Sequence, residues 1–418
     1  MPEYWNVNVY WIKTKKQCVF MDKQMRAFVL IGPRKVRETR VRTPVAGPHE
    51  VLVKTKIVGI CGSDLHLYNL SWMNPKNVKI MKRSSQLVQT IPVIPKKAMQ
   101  IMEKPVQQSL LRMITQRFRK MFHLSFADLP FFIMGHEFSG TVERCGAEVT
   151  DADLGQRVGV TPNIACHKCA ACKSGYESLC VTDTEIGSGD IQGALCEFVK
   201  VPSENIVPFP SHLSFEEAAM LDCVAPALHA VNLAQIEKHH SVAILGAGTI
   251  GLLVLQILRA FGLRNLAITD VNDFNLEIAK RFGAKRTFNV LETNDVSAEM
   301  EKTLGYVDRV VECVGGAAPT MTHALKLVGF RGRIVVVGNF DFPQPIDIVQ
   351  FRKKEASLVG CSRYSKPELK EALRMMADGD IDVKSLITHK FPAYKVEEAF
   401  RVALKKRQTK AIKVQIEF

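Results

Sequence analysis

Four cysteines in the stretch CHKCAACKSGYESLC, Cys166, Cys169, Cys172 and Cys180, have the spacing C-x2-C-x2-C-x7-C. Thiolates this close, with Gly175 to turn the loop, can close a tetrahedron around zinc. Four protein ligands leave no open coordination position, so such a site is structural. An iron–sulfur cluster and coincident free thiols are the alternatives, and the spacing matches neither common ferredoxin pattern. A second stretch, VAILGAGTIG, sets Gly246, Gly248 and Gly251 as G-x-G-x-x-G between a strand and a helix, with Thr249 and Ile250 opening the helix. Glycines there allow a tight turn, close approach of the backbone to a pyrophosphate, and close packing of helix on strand. Asp270 ends the next strand, where a carboxylate bonds a ribose 2′-hydroxyl and repels a 2′-phosphate. That favours NAD over NADP.

The elements that must hold these residues differ along the chain. From Met25 to Ile60, and again from Phe131 to about residue 212, short runs with alternating and β-branched residues read as strands broken by Pro and Gly. Ser214 and Glu217 form a capping box ahead of one helical run, SFEEAAMLDCVAPALHAV. Strands and helices then alternate, which predicts a parallel sheet with helices on both faces. The expected organisation is an extra N-terminal segment at 1–24, a mostly-β domain at 25–212, a nucleotide-binding Rossmann domain at 213–355 and a C-terminal segment at 356–418. The fold class is therefore α/β, a doubly wound parallel sheet joined to a mostly-β domain.

The net charge of +14 is not spread over the chain. Between residues 71 and 127 eleven Lys and Arg stand against one acid, Glu103. Local charge without a recognition motif argues against a nucleic-acid partner. The eleven cysteines are an odd number, which argues against a secreted disulfide scaffold and for thiolate chemistry in a reducing, cytoplasmic setting. The uncharged run Ser241 to Leu258 approaches membrane-spanning length, but its glycines read better as a buried strand, turn and helix.

Together, the cysteine quartet, the glycine motif with Asp270, and the pair GICGSDLH and GHE resemble the zinc-containing medium-chain alcohol dehydrogenases, nearest the sorbitol (polyol) and threonine dehydrogenase branches. The resemblance covers about Met25–Tyr68 and Phe131–Phe418. It implies that the β domain at 25–212 is a barrel-like, GroES-like catalytic domain to which residues 356–418 return, with a catalytic zinc held by Cys61, His136 and Glu137 and Asp222 where the family places a further ligand. The polyol branch has Glu-Pro at that point and this chain has Asp222 and Cys223, so the choice among Glu137, Asp222 and Cys223 stays open. Ser63 and His66 occupy the places of the family's proton relay. Two zincs per chain, NAD and a small alcohol substrate are implied. So are oxidation of a secondary alcohol to a ketone by hydride transfer, and a homodimer or homotetramer. L-Threonine is the alternative substrate. His167, His229, His239, His240 and His389 read as ordinary core or surface residues.

Cys61 and His136 are separated by a basic stretch at about 70–129 that has no counterpart in the family. Residues 105–121 within it form an amphipathic helical pattern that could meet an anionic membrane or a partner groove. The stretch reads as a surface insertion, such an appendage, or translated non-coding sequence. If it keeps the two halves of the site apart, the chain is an impaired nucleotide-binding relative.

Overall fold

The computed structural model describes residues 24–32, 34–69, 132–182, 184–187, 191–293 and 295–418. The N-terminal segment, except for Gln24, and the basic stretch with its amphipathic pattern lie outside the described residues.

The first unit is built from antiparallel strands. β1 (Gln24–Gly32) pairs with β2 (Lys35–Arg42) and with the short β4 (Phe132–Ile133). The larger sheet centres on β3 (Glu50–Gly59), which pairs with β5 (Glu137–Cys145), with β9 (Phe198–Pro202) and with the C-terminal β18 (Lys413–Glu417). With neighbours at both edges and a core beneath, Val51, Leu52, Val53 and Val58 are all buried. β6 (Arg157–Val160) and β10 (Ile206–Pro208) extend one side of the sheet, and β17 (Ile387–Pro392) the other. β7 (Asn163–Ile164) and β8 (Thr184–Glu185) flank the cysteine lobe as a separate pair.

The second unit is a parallel sheet in the order β13-β12-β11-β14-β15-β16. Its strands are β11 (Val242–Leu245), β12 (Leu266–Asp270), β13 (Arg286–Asn289), β14 (Val307–Glu312), β15 (Val328–Val336) and β16 (Ser357–Gly360). Separate apolar clusters cover its two faces, one with Ile244 and Ile268, the other with Ala243, Leu245 and Val310. The order reverses between β11 and β14, which is where ligands bind in sheets of this type. The uncharged run at 241–258 is β11, a turn and the helix Thr249–Ala260. Leu252 to Leu255, Ile257 and Leu258 are fully buried because that helix packs between the sheet and the helix Leu221–Leu233. Among the described residues no helix is long and apolar enough to cross a membrane.

Four features differ from expectation. The residues after Cys61 form a helix, Gly62–Asn69, beyond the expected strands that end at Ile60. Asp64 accepts from the Cys61 amide at 2.9 Å at its start, and Tyr68 stacks on Phe400 at its end, ring centres 4.5 Å apart. The helical run after Ser214 is split into Phe215–Ala218 and Leu221–Leu233. Met220 donates back to Glu217 at 2.8 Å, a turn spacing that redirects the chain. Three short elements, β13, the helix Val296–Leu304 and β16, are not signalled by their sequences. Finally, the nucleotide-binding unit runs past 355. β16 pairs with β15, and the helix Lys366–Ala377 packs on Leu221–Leu233, so the chain returns to the β domain only from β17.

That last helix is tied down by its capping box. Glu368 accepts from the Ser365 amide and hydroxyl at 2.8 and 2.7 Å, and from His229 and Asn232 at 2.9 Å each. Burial pushes the Glu368 carboxyl up, but the Ser365 amide, Asn232 and His229 outweigh it and hold it at about 2. Its stabilisation is therefore present above the ordinary carboxylate range and is lost as pH falls towards 2. Glu368→Ala is expected to cost about 1–2 kcal/mol near neutrality in urea unfolding, shrinking as pH drops below 4.

Candidate active site

Three strands converge on the candidate catalytic centre. β3 ends at Gly59, which lies opposite Glu137 of β5 on one side and Gln415 of β18 on the other. A Cβ at Gly59 would collide with the Glu137 carboxylate, so only glycine lets that side chain lie across the strand end. Cys61 follows two residues later and His136 precedes β5. Donor atoms of Cys61, His136 and Glu137 lie within 4.8 Å of one another. The sequence between Cys61 and His136 does not keep the two halves of the site apart.

The surroundings sort the donors. Buried Asp64 has one oxygen 3.6 Å from His136 Nδ1, too long for a hydrogen bond but close enough for charge attraction. A carboxylate behind Nδ1 suits an imidazole that holds a metal through Nε2. Burial pushes His136 down, yet Asp64 and Cys61 more than reverse this and leave it well above the usual imidazole value. Ser63 Oγ stands 3.5 Å from His136 Nε2.

Glu137 is held from both sides. Lys413 Nζ reaches one oxygen at 2.6 Å, both side chains almost fully buried, and Cys223 Sγ donates to the other at 3.1 Å. Burial raises the Glu137 carboxyl, but Lys413 and His136 outweigh it and keep it ionised. Burial and the Glu137 charge push the Cys223 thiol well up, so Cys223 is a donor to Glu137 and not a thiolate. Asp222 does not join the cluster. It bonds the Tyr364 hydroxyl, which also lies 2.9 Å from Thr161 Oγ1. Burial lifts Asp222 to about 8 against the pull of His136 and Tyr364. One sulfur, one imidazole and one carboxylate gathered within 4.8 Å fit a catalytic zinc, which takes about three protein ligands.

The four lobe cysteines also meet. Sulfur separations include 3.5 Å for Cys169–Cys172 and 4.0 Å for Cys166–Cys172. Amides of Lys168 and Cys169 point at Cys166 Sγ, and that of Cys172 at Cys169 Sγ. Burial and then the Cys169 and Cys180 sulfurs push Cys172 up to about 12. Burial also raises Cys180, but the Thr182 hydroxyl and the Cys166 amide bring it down to about 6. Four thiols so close cannot all ionise without a cation among them, and amides aimed at sulfur suit a zinc–thiolate knuckle. His167 lies outside the cluster, bonded to Glu204 at 2.8 Å.

At the nucleotide loop, Gly246 has φ +97° and a Cβ at Gly251 would run into the Gly246 carbonyl. No side chain caps the helix at Gly248, leaving its first amides for an anion. Asp270 ends β12 and accepts from Ala247 at 2.7 Å and Asn272 at 2.8 Å, which sets its carboxylate against the loop. Thr249 bonds the Ile412 carbonyl at 3.1 Å and Ile250 packs against the core. These residues fit a dinucleotide.

Residues 249–378 match the family described as zinc-binding dehydrogenase, and residues 109–211 match the alcohol dehydrogenase GroES-like domain. The L-idonate 5-dehydrogenase of Vitis vinifera is 30% identical over 400 residues, 94% of each chain. The chain belongs to the zinc-containing medium-chain alcohol dehydrogenases. Sorbitol dehydrogenase 1 of Saccharomyces cerevisiae is another relative, 30% identical over 361 residues, 85% of this chain and 87% of that one. The crystal structure of 2R,3R-butanediol dehydrogenase from Bacillus subtilis superimposes with a TM-score of 0.73 at 26% identity, covering 94% and 99%. As a medium-chain dehydrogenase, the chain is an oxidoreductase that uses zinc and a nicotinamide cofactor. The GroES-like match begins at residue 109, inside the stretch expected to have no counterpart.

Sequence reasoning missed Asp64, Lys413 and the Tyr364–Thr161 pair. Asp64 lay in view within GSDLH, and a buried lysine in the strand AIKVQIEF was the available signal for the second. Tyr364 carried none.

Proposed function

We propose that the protein oxidises a secondary alcohol of a polyol to a ketone with NAD, using Cys61, His136 and Glu137 as the catalytic zinc ligands and the four lobe cysteines as the structural site. The observation that carries this is the meeting of those three donors at one end of β3. Relatives named for sorbitol and L-idonate support the substrate class. The chemistry supplied there is Lewis-acid polarisation of the alcohol by zinc and acceptance of hydride by NAD.

The chain's residues do the rest. Asp64 orients His136, and Lys413 and Cys223 hold Glu137. Ser63 and His66 are three apart on the helix Gly62–Asn69 and so share a face. Ser63 beside the cluster takes the alcohol proton and His66, partly exposed, passes it outward. Asp270 receives the adenosine ribose. Asp270→Asn is expected to lower the NAD-over-NADP ratio of kcat/KM by about tenfold to a hundredfold, measured with both cofactors.

The test is a screen of purified chain with NAD against sorbitol, xylitol, L-idonate, 2,3-butanediol and L-threonine. Oxidation of a polyol supports the reading, turnover of threonine alone replaces the substrate class, and no turnover with both zincs bound overturns it. We further assign the protein to the cytoplasm, where the quartet thiols stay reduced, and to a homodimer or homotetramer. β16 is an edge strand with Leu358 partly exposed, and Ile348 and Val349 stand exposed nearby in sequence. Light scattering reads the assembly state.

A further inference from the structure

His66 is only partly exposed. Its Nδ1 stands 3.4 Å from Asp341 Oδ1, and the two residues come from the two different units of the fold. His66 belongs to the helix that follows the Cys61 position. Asp341 belongs to the rim of the nucleotide-binding sheet, just beyond β15. The two side chains are 38% and 25% exposed, so the contact lies near the surface and not in a core.

The rim that carries Asp341 is rigidly built. At the end of β14 the fully buried Glu312 accepts from Val314 at 2.9 Å, Gly315 at 3.0 Å and the Thr320 hydroxyl at 2.8 Å. That carboxylate fixes the turn 313–316. The turn is joined in sequence register to the next loop. Gly316 donates to the Asn339 carbonyl at 2.7 Å, Asp341 donates back to the Gly316 carbonyl at 3.1 Å, and Gly316 bridges Phe340. The Asp341 backbone is thus bonded to a turn that is itself clamped from within the sheet. Its carboxylate is presented to the opposite domain from a fixed platform.

We propose that Asp341 is the positioning residue for His66, joining the nucleotide side of the cleft to the proton path. This rests on the relay role given to His66 above. A carboxylate beside Nδ1 favours the tautomer with the proton on that nitrogen, which makes Nε2 the accepting atom of the ring. It also holds the ring, so fewer orientations compete with the transferring one. Because the partner sits on the other domain, the tautomer is selected only when the cleft is in the arrangement seen here. No atoms are exchanged with Asp341: the proton moves from Ser63 to His66 and on to water.

The experiment compares Asp341→Ala, Asp341→Asn, His66→Asn and the double variant Asp341→Ala/His66→Asn, as full-length zinc-loaded protein, using the best substrate among sorbitol, xylitol, L-idonate and 2,3-butanediol with NAD. Asp341→Ala is expected to lower kcat by about tenfold, the lower part of what a positioned proton-transfer group contributes, with KM for NAD within about twofold of the parent. Asp341→Asn, which keeps an acceptor oxygen, is expected to lose less. Added imidazole should speed Asp341→Ala and His66→Asn but not the parent, since a free base then replaces the misplaced one. The double variant should be no slower than His66→Asn. If His66→Asn is slow while Asp341→Ala matches the parent, the positioning role is overturned and the relay stands. If His66→Asn itself matches the parent, the relay reading falls and the positioning role with it. A slow Asp341→Ala that ignores imidazole and multiplies with His66→Asn shows a merely structural effect and also overturns the proposal.

Discussion

Cys61→Ser is expected to lower turnover by about a thousandfold or more while removing one of two bound zincs. The magnitude follows from the several kcal/mol of charge stabilisation that a Lewis acid supplies at a reacting oxygen. Serine keeps the size of the side chain but is a far weaker zinc ligand than a thiolate. The rest of the site stays assembled, since His136 is still backed by Asp64 and Glu137 still held by Lys413. NAD affinity should stay within about threefold, because Gly246 to Gly251 and Asp270 belong to the parallel sheet and depend on none of these side chains. Fluorescence titration with NAD, steady-state rates and metal content on one preparation check all three expectations. Full turnover in the serine variant would remove Cys61 from the catalytic centre.

The second large effect belongs to Lys413. Its ammonium is the buried partner of Glu137, and only a few per cent of either side chain is exposed. Lys413→Met keeps the apolar stem and deletes the charge, leaving a buried carboxylate without its ammonium partner. Breaking a buried pair in this way costs about 3–5 kcal/mol. Zinc held by the same carboxylate would offset part of that cost, so the loss should be largest after chelation and smaller with zinc restored. Glu137→Gln combined with Lys413→Met should recover much of the stability, since neither charge then remains unpaired. Urea unfolding of the parent, Lys413→Met, Glu137→Gln and the double variant, with and without zinc, reads these differences. Equal losses with and without metal would show that Glu137 is not a ligand.

Much of this site was legible because its parts are local in sequence. The quartet occupies one loop, the glycine turn and Asp270 belong to one strand–helix–strand unit, and Ser63 and His66 are one helical turn apart. Spacing alone carries such information. The missing parts depend on long-range register. Lys413 reaches Glu137 only because β18 lies against β3 with Gln415 opposite Gly59, and β3 against β5 with Gly59 opposite Glu137. Tyr364 reaches Asp222 and Thr161 from a loop far along the chain. The uncertainty between Glu137, Asp222 and Cys223 had the same origin: all three are plausible donors in sequence. Only the fold shows Cys223 bonded to Glu137 and Asp222 turned to Tyr364. The helical run after Ser214 was read as continuous because its composition is helical throughout, and the turn at Met220 is imposed by packing. β16 went unread because four residues of edge strand carry almost no periodic signal.

The most direct measurement is zinc X-ray absorption of the purified chain, with metal content determined on the same sample. Two zincs are predicted, one with four sulfurs and one with a single sulfur, an imidazole, a carboxylate and a water. The averaged spectrum should then show about 2.5 sulfurs near 2.3 Å and about 1.5 nitrogen or oxygen atoms near 2.0–2.1 Å per zinc. One zinc per chain with an all-sulfur shell would contradict the account, because the cluster of Cys61, His136 and Glu137 would then hold no metal.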